Sequence, residues 1–303
     1  MVSVDSSLRR LKLSSGKSGA GFPYAFLGST QAQRTEPVSG QLRACPTISK
    51  FVPFAPLAGQ CVNDSDASKS PASRRYQSIR NIRIRGRMNT EAVREQMIEQ
   101  QVRAGDVLDM RILDAMRRVR REMFAPEAYR QVAYAEAAIP LPCGQTMLPP
   151  VIHGRILQAL SPSPSEVVLV VGAGTGYLAA CLSQLAARVR ALEIFPELAD
   201  QARANLLAAA ANNVGVETAD GMQLDEQGIY SAIAVTGSLP QYDERFQRAL
   251  RVGGRLLVVV GQPPVMEAWK VTRVGEREWQ RESLFETVID PLINAPRPPA
   301  FIF

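Results

Sequence analysis

Histidine is almost missing from this chain: His153 is the only one in 303 residues. No cluster of Asp, Glu or Cys stands at ligand spacing beside it, so a zinc or two-metal hydrolase, which needs several such groups converging on one ion, is not expected. Cysteine is also sparse. Cys45, Cys61, Cys143 and Cys181 form neither a C-x-x-C pair nor a dense disulfide framework, and a reducing compartment, the cytoplasm, is the expectation. No apolar run reaches the roughly 18 to 20 residues that span a bilayer, so a soluble protein without a membrane partner is expected. Acidic residues are scarce at the start, with 4 against 14 Lys and Arg in residues 1–87, while 88–303 hold 25 acidic and 21 basic residues. The net charge of +6 therefore belongs to the first stretch. The mildly acidic remainder speaks against a nucleic-acid partner, which a basic surface would serve.

Residues 1–87 are rich in Ser, Arg, Gly and Pro and lack a sustained hydrophobic period over most of their length, which predicts disorder. Their composition allows a transit peptide, but the h-region of a secretory signal is missing. A start codon placed too early is the favoured explanation, because Met88-Asn89-Thr90-Glu91 opens a helix with a Thr cap and an acidic first turn, as a natural N-terminus would. Residues 88–303 are then one domain: an N-terminal helical module and substrate loop over 88–150, and a Rossmann-like core over 151–303.

In the first part, Val93, Met97, Ile98 and Val102 mark one amphipathic helix and Ile112, Leu113, Met116 and Val119 a second. Pro126, Pro140, Pro142, Pro149 and Pro150 then require mostly loop, where a substrate lip could sit. A helix is expected over His153–Leu160. From Ser165 onward strands and helices alternate: strand Val167–Val171, helix Leu178–Ala187, strand Val189–Ile194, helix Pro196–Ala211 and strands at Gly215–Thr218 and Ala232–Thr236. A helix around Glu244–Leu250, a strand at Arg255–Val260 and an antiparallel pair over 267–274 and 278–288 complete the series. This is the pattern of an α/β, doubly wound, mainly parallel sheet.

Chemistry concentrates where Val167–Val171 runs into Gly172-Ala173-Gly174-Thr175-Gly176-Tyr177. Glycines there permit backbone conformations and ligand approach that a Cβ would block, and the amides of the following helix suit an anionic group. An ordinary glycine-rich turn would look similar. Glu193, however, stands near the end of the next strand, where an acid can accept both ribose hydroxyls of a nucleoside; capping the helix that starts at Pro196 is its other reading. Asp220-Gly221, after the third strand, places an acid where an adenine amino group could donate, or simply makes a turn. The loop reads G-x-G-x-G rather than the G-x-G-x-x-G of dehydrogenases, which turns the reading from a nicotinamide cofactor towards S-adenosylmethionine.

Taken together with Arg94–Arg103, Ala115–Val119, Met123–Pro126, Ile139–Leu141, Gly144-Gln145-Thr146, Val235-Thr236 and Val252–Leu256, these residues resemble the protein-L-isoaspartate O-methyltransferase family over essentially all of 88–303. The resemblance implies S-adenosyl-L-methionine held by Gly172, Gly174, Gly176, Glu193, Asp220 and Gly221, with Gln145 and Thr146 near the transferred methyl. It implies isoaspartyl-containing proteins or peptides as substrates and a monomeric enzyme without a metal.

Three positions depart from the family pattern. Leu148 stands in place of the active-site serine, followed by Pro149; Val170 replaces an acid two residues before Gly172; and Ser231 replaces the aspartate of a Tyr-Asp pair. Leucine cannot donate a hydrogen bond to a substrate carboxylate. A methyltransferase with another acceptor, or a cofactor-binding relative without repair activity, is therefore carried as an alternative. His153 is read as a partly exposed helix residue, with a polar role near the acceptor as the other possibility. Tyr177 either covers the cofactor or packs between helix and sheet.

Overall fold

The computed structural model of the protein describes residues 89–297. The expectations for residues 1–87, and for Met88, lie outside that range. Helix α1 (Thr90–Met97) is capped by Asn89 rather than Thr90: the Asn89 carboxamide oxygen accepts from the amides of Glu91 and Ala92 at 3.2 and 3.3 Å. It continues into a π-helical turn, Ile98–Val102, whose Ile98 and Val102 are buried with Met97. Helix α2 (Met110–Arg118) starts on the Asp109 side chain and buries Ile112, Leu113 and Met116. Arg117 ties the two helices by pairing with Glu95 and Glu99 of the first and Asp114 of its own. The proline-punctuated stretch that follows is largely loop, as its composition requires, with one small pairing of β1 (Ile139–Pro140) and β2 (Thr146–Met147). Helix α3 (Pro150–Leu160) then opens on a proline, whose missing N–H costs nothing at a helix start.

The sheet has seven strands: β3 (Val167–Val171), β4 (Arg188–Glu193), β5 (Val214–Thr218), β6 (Tyr230–Leu239), β7 (Leu250–Gln262), β8 (Val265–Gly275) and β9 (Glu278–Glu286). Their order is β5-β4-β3-β6-β7-β8-β9; the first five run parallel and the last two antiparallel. Helices α4 (Tyr177–Ser183), α5 (Pro196–Ala208) and α6 (Arg245–Ala249) lie between strands. The strand alternation divides the core cleanly: Val168 and Val170 face one buried cluster, Leu169 and Val171 the other, and Ala232/Ala234 against Ile233/Val235 repeat the division on β6. Burial on both faces explains why these strands read as continuous apolar runs.

Two helices are shorter than their periodicity suggested. α4 ends at Ser183 and α5 at Ala208, although alanine favours helix; beyond α5 the chain turns at Ala210, whose φ is +54°, to enter β5. From β3 the chain proceeds outward to β4 and β5, then crosses back to place β6 on the other side of β3. The strand order thus switches between β3 and β6, which leaves a crevice at their carboxyl ends.

Beyond β9 the chain returns to that crevice. Ser238, near the end of β6, donates from its amide to the carbonyl of Asp290 at 2.9 Å and accepts from the amide of Leu292 at 2.8 Å. A Cβ on Gly237 would lie 2.8 Å from the Leu292 backbone, so glycine is needed where this strap crosses. No helix among the described residues is long and apolar enough to cross a membrane.

Candidate active site

The glycine loop after β3 is held in a conformation that other residues resist. Gly172, Gly174 and Gly176 have φ of +86°, +55° and +95°, in the left-handed region. At Gly172 there is no room for a side chain either: a Cβ would collide with the Thr236 hydroxyl, which donates to the Gly172 carbonyl at 2.6 Å. Gly176 stands apart from the other two, because it precedes α4 and packs against Ala202 and Leu206 of α5 instead of lining the crevice.

Glu193, at the end of β4, is buried, and both of its carboxylate oxygens are engaged by backbone: one accepts from the Gly174 amide at 2.7 Å, the other from the Phe195 amide at 3.2 Å. It therefore binds the glycine loop to the start of α5 while lining the crevice. Burial pushes its carboxyl pKa upward, against the opposing pull of the amides of Gly174, Phe195 and Ile194. Asp220 caps the short turn Gly221–Gln223 through the Met222 amide at 2.8 Å and accepts from the Asn294 carboxamide at 3.0 Å. Gly221 is required because a Cβ there would overlap Val171 of β3.

The opposite wall comes from the β1–β2 segment and the strap. Gln145, Thr146 and Leu148 line the same cavity as Gly172, Gly174, Glu193, Asp220 and Gly221, so one crevice gathers every predicted site residue except Gly176. Leu148 is only 6% exposed. Thr146 spends its hydroxyl on Asp290, donating to the carboxylate at 2.9 Å. The strap residues Asp290–Ile293 close this side of the cavity and were not anticipated. Nothing local in the sequence marks them, since their place depends on the return to Ser238. Val170 and Ser231, two of the departures noted above, are buried in the sheet and do not line the cavity.

His153 is not partly exposed, as expected, but buried at 5%. Its Nδ1 lies 3.1 Å from the Arg121 guanidinium, and its ring meets Tyr177 edge-on with centroids 5.0 Å apart. Burial, and then the Arg121 charge, lower the imidazole pKa well below its ordinary value and keep it neutral. Tyr177 is likewise buried, packed among Phe124, His153 and Arg121.

A parallel sheet with a crevice at the β3/β6 switch, a glycine loop on one side and an acid at the end of each of the next two strands is the architecture of a class I methyltransferase. The comparisons narrow it. The family model described as protein-L-isoaspartate(D-aspartate) O-methyltransferase matches residues 92–293, and the chain belongs to that family. The protein-L-isoaspartate O-methyltransferase of Rhodopseudomonas palustris is 39% identical over 201 residues, which cover 66% of this chain and 92% of that protein. Its namesake in Koribacter versatilis is 38% identical over 202 residues, 66% of this chain and 90% of the relative. Among solved structures, a Plasmodium falciparum chain described as a candidate enzyme of this family, in complex with S-adenosyl-L-homocysteine, is 19% identical with a TM-score of 0.59. It matches 68% of this chain and 99% of its own length, and at that identity it speaks to the fold.

Proposed function

We propose that this protein is an S-adenosyl-L-methionine-dependent carboxyl methyltransferase acting on L-isoaspartyl (D-aspartyl) residues of damaged proteins. The observation that carries the reading is the convergence of Gly172, Gly174, Glu193, Asp220 and Gly221 with Gln145 and Thr146 on one crevice, within a chain matched to the family almost throughout its described length. The lining suits an adenosyl group: Leu192, Ile194 and Leu198 offer apolar surface for a purine, and the two acids offer acceptors for hydroxyl and amino donors. Glu193 would hold the ribose, Asp220 the adenine amino group, and the Gly172 and Gly174 backbone the remainder.

When bound, the cofactor supplies a methyl already activated by its attachment to sulfonium sulfur. The acceptor carboxylate is ionised at neutral pH, so the chain needs no general base and no metal, and its contribution is placement. The glycine loop fixes one reactant. The wall of Gln145, Thr146 and Leu148 bounds the other, and the strap over the crevice excludes water that would compete for the oxygen's lone pairs. Residues 88–303 are the functional unit of this reading, acting as a cytoplasmic monomer on protein substrates, without a nucleic-acid partner. Incubating the purified chain with methyl-labelled cofactor and an isoaspartyl peptide should yield base-labile label; its absence would refute the reading.

A second reading, the same fold with a different acceptor, is favoured by one specific pairing. Thr146 is committed to the carboxylate of Asp290, and Leu148 presents no donor, so this wall offers an anion and an apolar face where a substrate carboxylate would dock. Replacing Leu148 by Ser discriminates. If isoaspartyl proteins are the substrate, kcat/KM on an isoaspartyl peptide should rise about tenfold, the worth of one oriented hydrogen bond. No response in the variant, together with no ester formed by the parent chain, favours the other acceptor.

A further inference from the structure

Among the described residues Arg121 is the largest fully buried side chain, at 0% exposure, and it makes no salt bridge, although the Glu136 charge acts on it from further off. An isolated guanidinium in the interior is costly unless its donors are met. Here they are met by neutral groups drawn from three separate segments. Nε donates to the Ala133 carbonyl at 2.7 Å and Nη2 to the Leu148 carbonyl at 2.6 Å; Nη1 lies 3.1 Å from His153 Nδ1, and the plane lies 4.9 Å from the Tyr177 ring centroid. His153 Nδ1 also lies 3.1 Å from the Pro149 carbonyl, so the imidazole sits between the guanidinium and the backbone that follows Leu148, and its tautomer decides which of the two it bonds.

The Leu148 carbonyl lies just past the β1–β2 pairing, where Met147 and Leu148 are held by burial and Thr146 by Asp290. β2 is two residues long, and Pro149 and Pro150 supply no N–H, so immediately past Leu148 the backbone has no donor of its own. A hydrophobic side chain could fill the same volume and would be the easier one to bury. Only a rigid fork of donors can reach Ala133, His153 and Leu148 at once.

We propose that Arg121 is a positioning residue which, through the Leu148 carbonyl and its contact with His153, fixes the Thr146–Leu148 wall at the acceptor end of the crevice. It touches neither reactant. This rests on the carboxyl-methyltransferase reading for its kinetic consequence but not for its structural one, and the two can be tested apart.

The structural arm is hydrogen exchange on the full chain. In Arg121→Met the amides of residues 145–148 should exchange about tenfold faster than in the parent, while those of Val168–Val171 stay unchanged. Arg121→Lys, which keeps the charge but loses the fork, should fall between. His153→Phe, which removes that contact, should give an increase of about two- to fivefold. Unchanged exchange at 145–148, or an equal rise throughout the sheet, overturns the proposal, as does failure of both Arg121 variants and His153→Phe to fold.

The kinetic arm compares cofactor affinity with turnover on an isoaspartyl peptide. Arg121→Met should lower kcat about tenfold or more and leave S-adenosyl-L-homocysteine affinity within about twofold, with partial recovery in Arg121→Lys. Parallel losses of kcat, affinity and thermal midpoint indicate a purely structural residue and overturn it. If the parent chain makes no ester at all, the functional reading fails, and the exchange result still decides the role of Arg121.

Discussion

The two walls of the crevice are made by different means. The wall assigned to the cofactor stands on the carboxyl ends of β3, β4 and β5 and is held by backbone amides that donate to its two carboxylates, Gly174 and Phe195 to Glu193 and Met222 to Asp220. Its position follows from strand register. The facing wall is a loop and a strap joined by side chains: Thr146 to Asp290, Asn294 to Asp220 and Arg121 to Leu148. A fold can therefore keep the first wall nearly constant while the second is altered one side chain at a time, and the departure at Leu148 lies on the second.

Substitutions can break that contrast or sharpen it. Gly172→Ala should be the most damaging, because it adds a Cβ in the left-handed region against the Thr236 hydroxyl; a loss of about 3 kcal/mol or more, as stability or as S-adenosyl-L-homocysteine affinity by calorimetry, is expected. A variant that binds normally would mean the wall is more pliable than its hydrogen bonds suggest.

Glu166 provides a test away from both walls. Arg255 holds it bidentately at 2.7 and 2.8 Å and Arg251 reaches it at 3.1 Å, drawing its carboxyl pKa down to about 2. The folded-state value lies below the unfolded one, so this stabilisation is complete above the ordinary glutamate range and is lost as pH falls through about 2. Glu166→Gln should cost ~2 kcal/mol at pH 7 in chemical denaturation and much less at pH 2.5, with cofactor affinity unchanged.

Glu193→Gln removes the charge and turns an amide donor towards one of two backbone N–H groups. A loss of ~1.5 kcal/mol in S-adenosyl-L-homocysteine binding is expected, roughly a tenfold weaker Kd. Unchanged affinity would assign Glu193 to loop anchoring alone.

How legible each wall was in the sequence follows from the same contrast. The parallel core, the glycine loop, the two acids at strand ends and the closing antiparallel pair could all be read, because each depends on neighbours within a strand or turn; that pair turns at Glu276–Arg277, one residue past Gly275. The acceptor wall could be read only in part. Resemblance led to Gln145, Thr146 and Leu148, but His153 was expected to be partly exposed, because its partner Arg121 lies 32 residues away and the packing between them leaves no periodic trace. The strap was missed altogether for the same reason: Pro291 pairs with Ser238 across the whole of α6, β7, β8 and β9. Asn89 displaced Thr90 as the helix cap because either residue can serve and one position of register decides between them.

The strap also sets an order in time. Chains fold progressively as they leave the ribosome, and Asp290–Ile293 follow the last strand of the sheet. All seven strands can be synthesised, and the two acids and the glycine loop brought together, before the final side of the crevice exists. A nascent or prematurely terminated chain ending at Glu286 would thus carry the sheet, the glycine loop and the two acids, yet leave that cavity open to solvent.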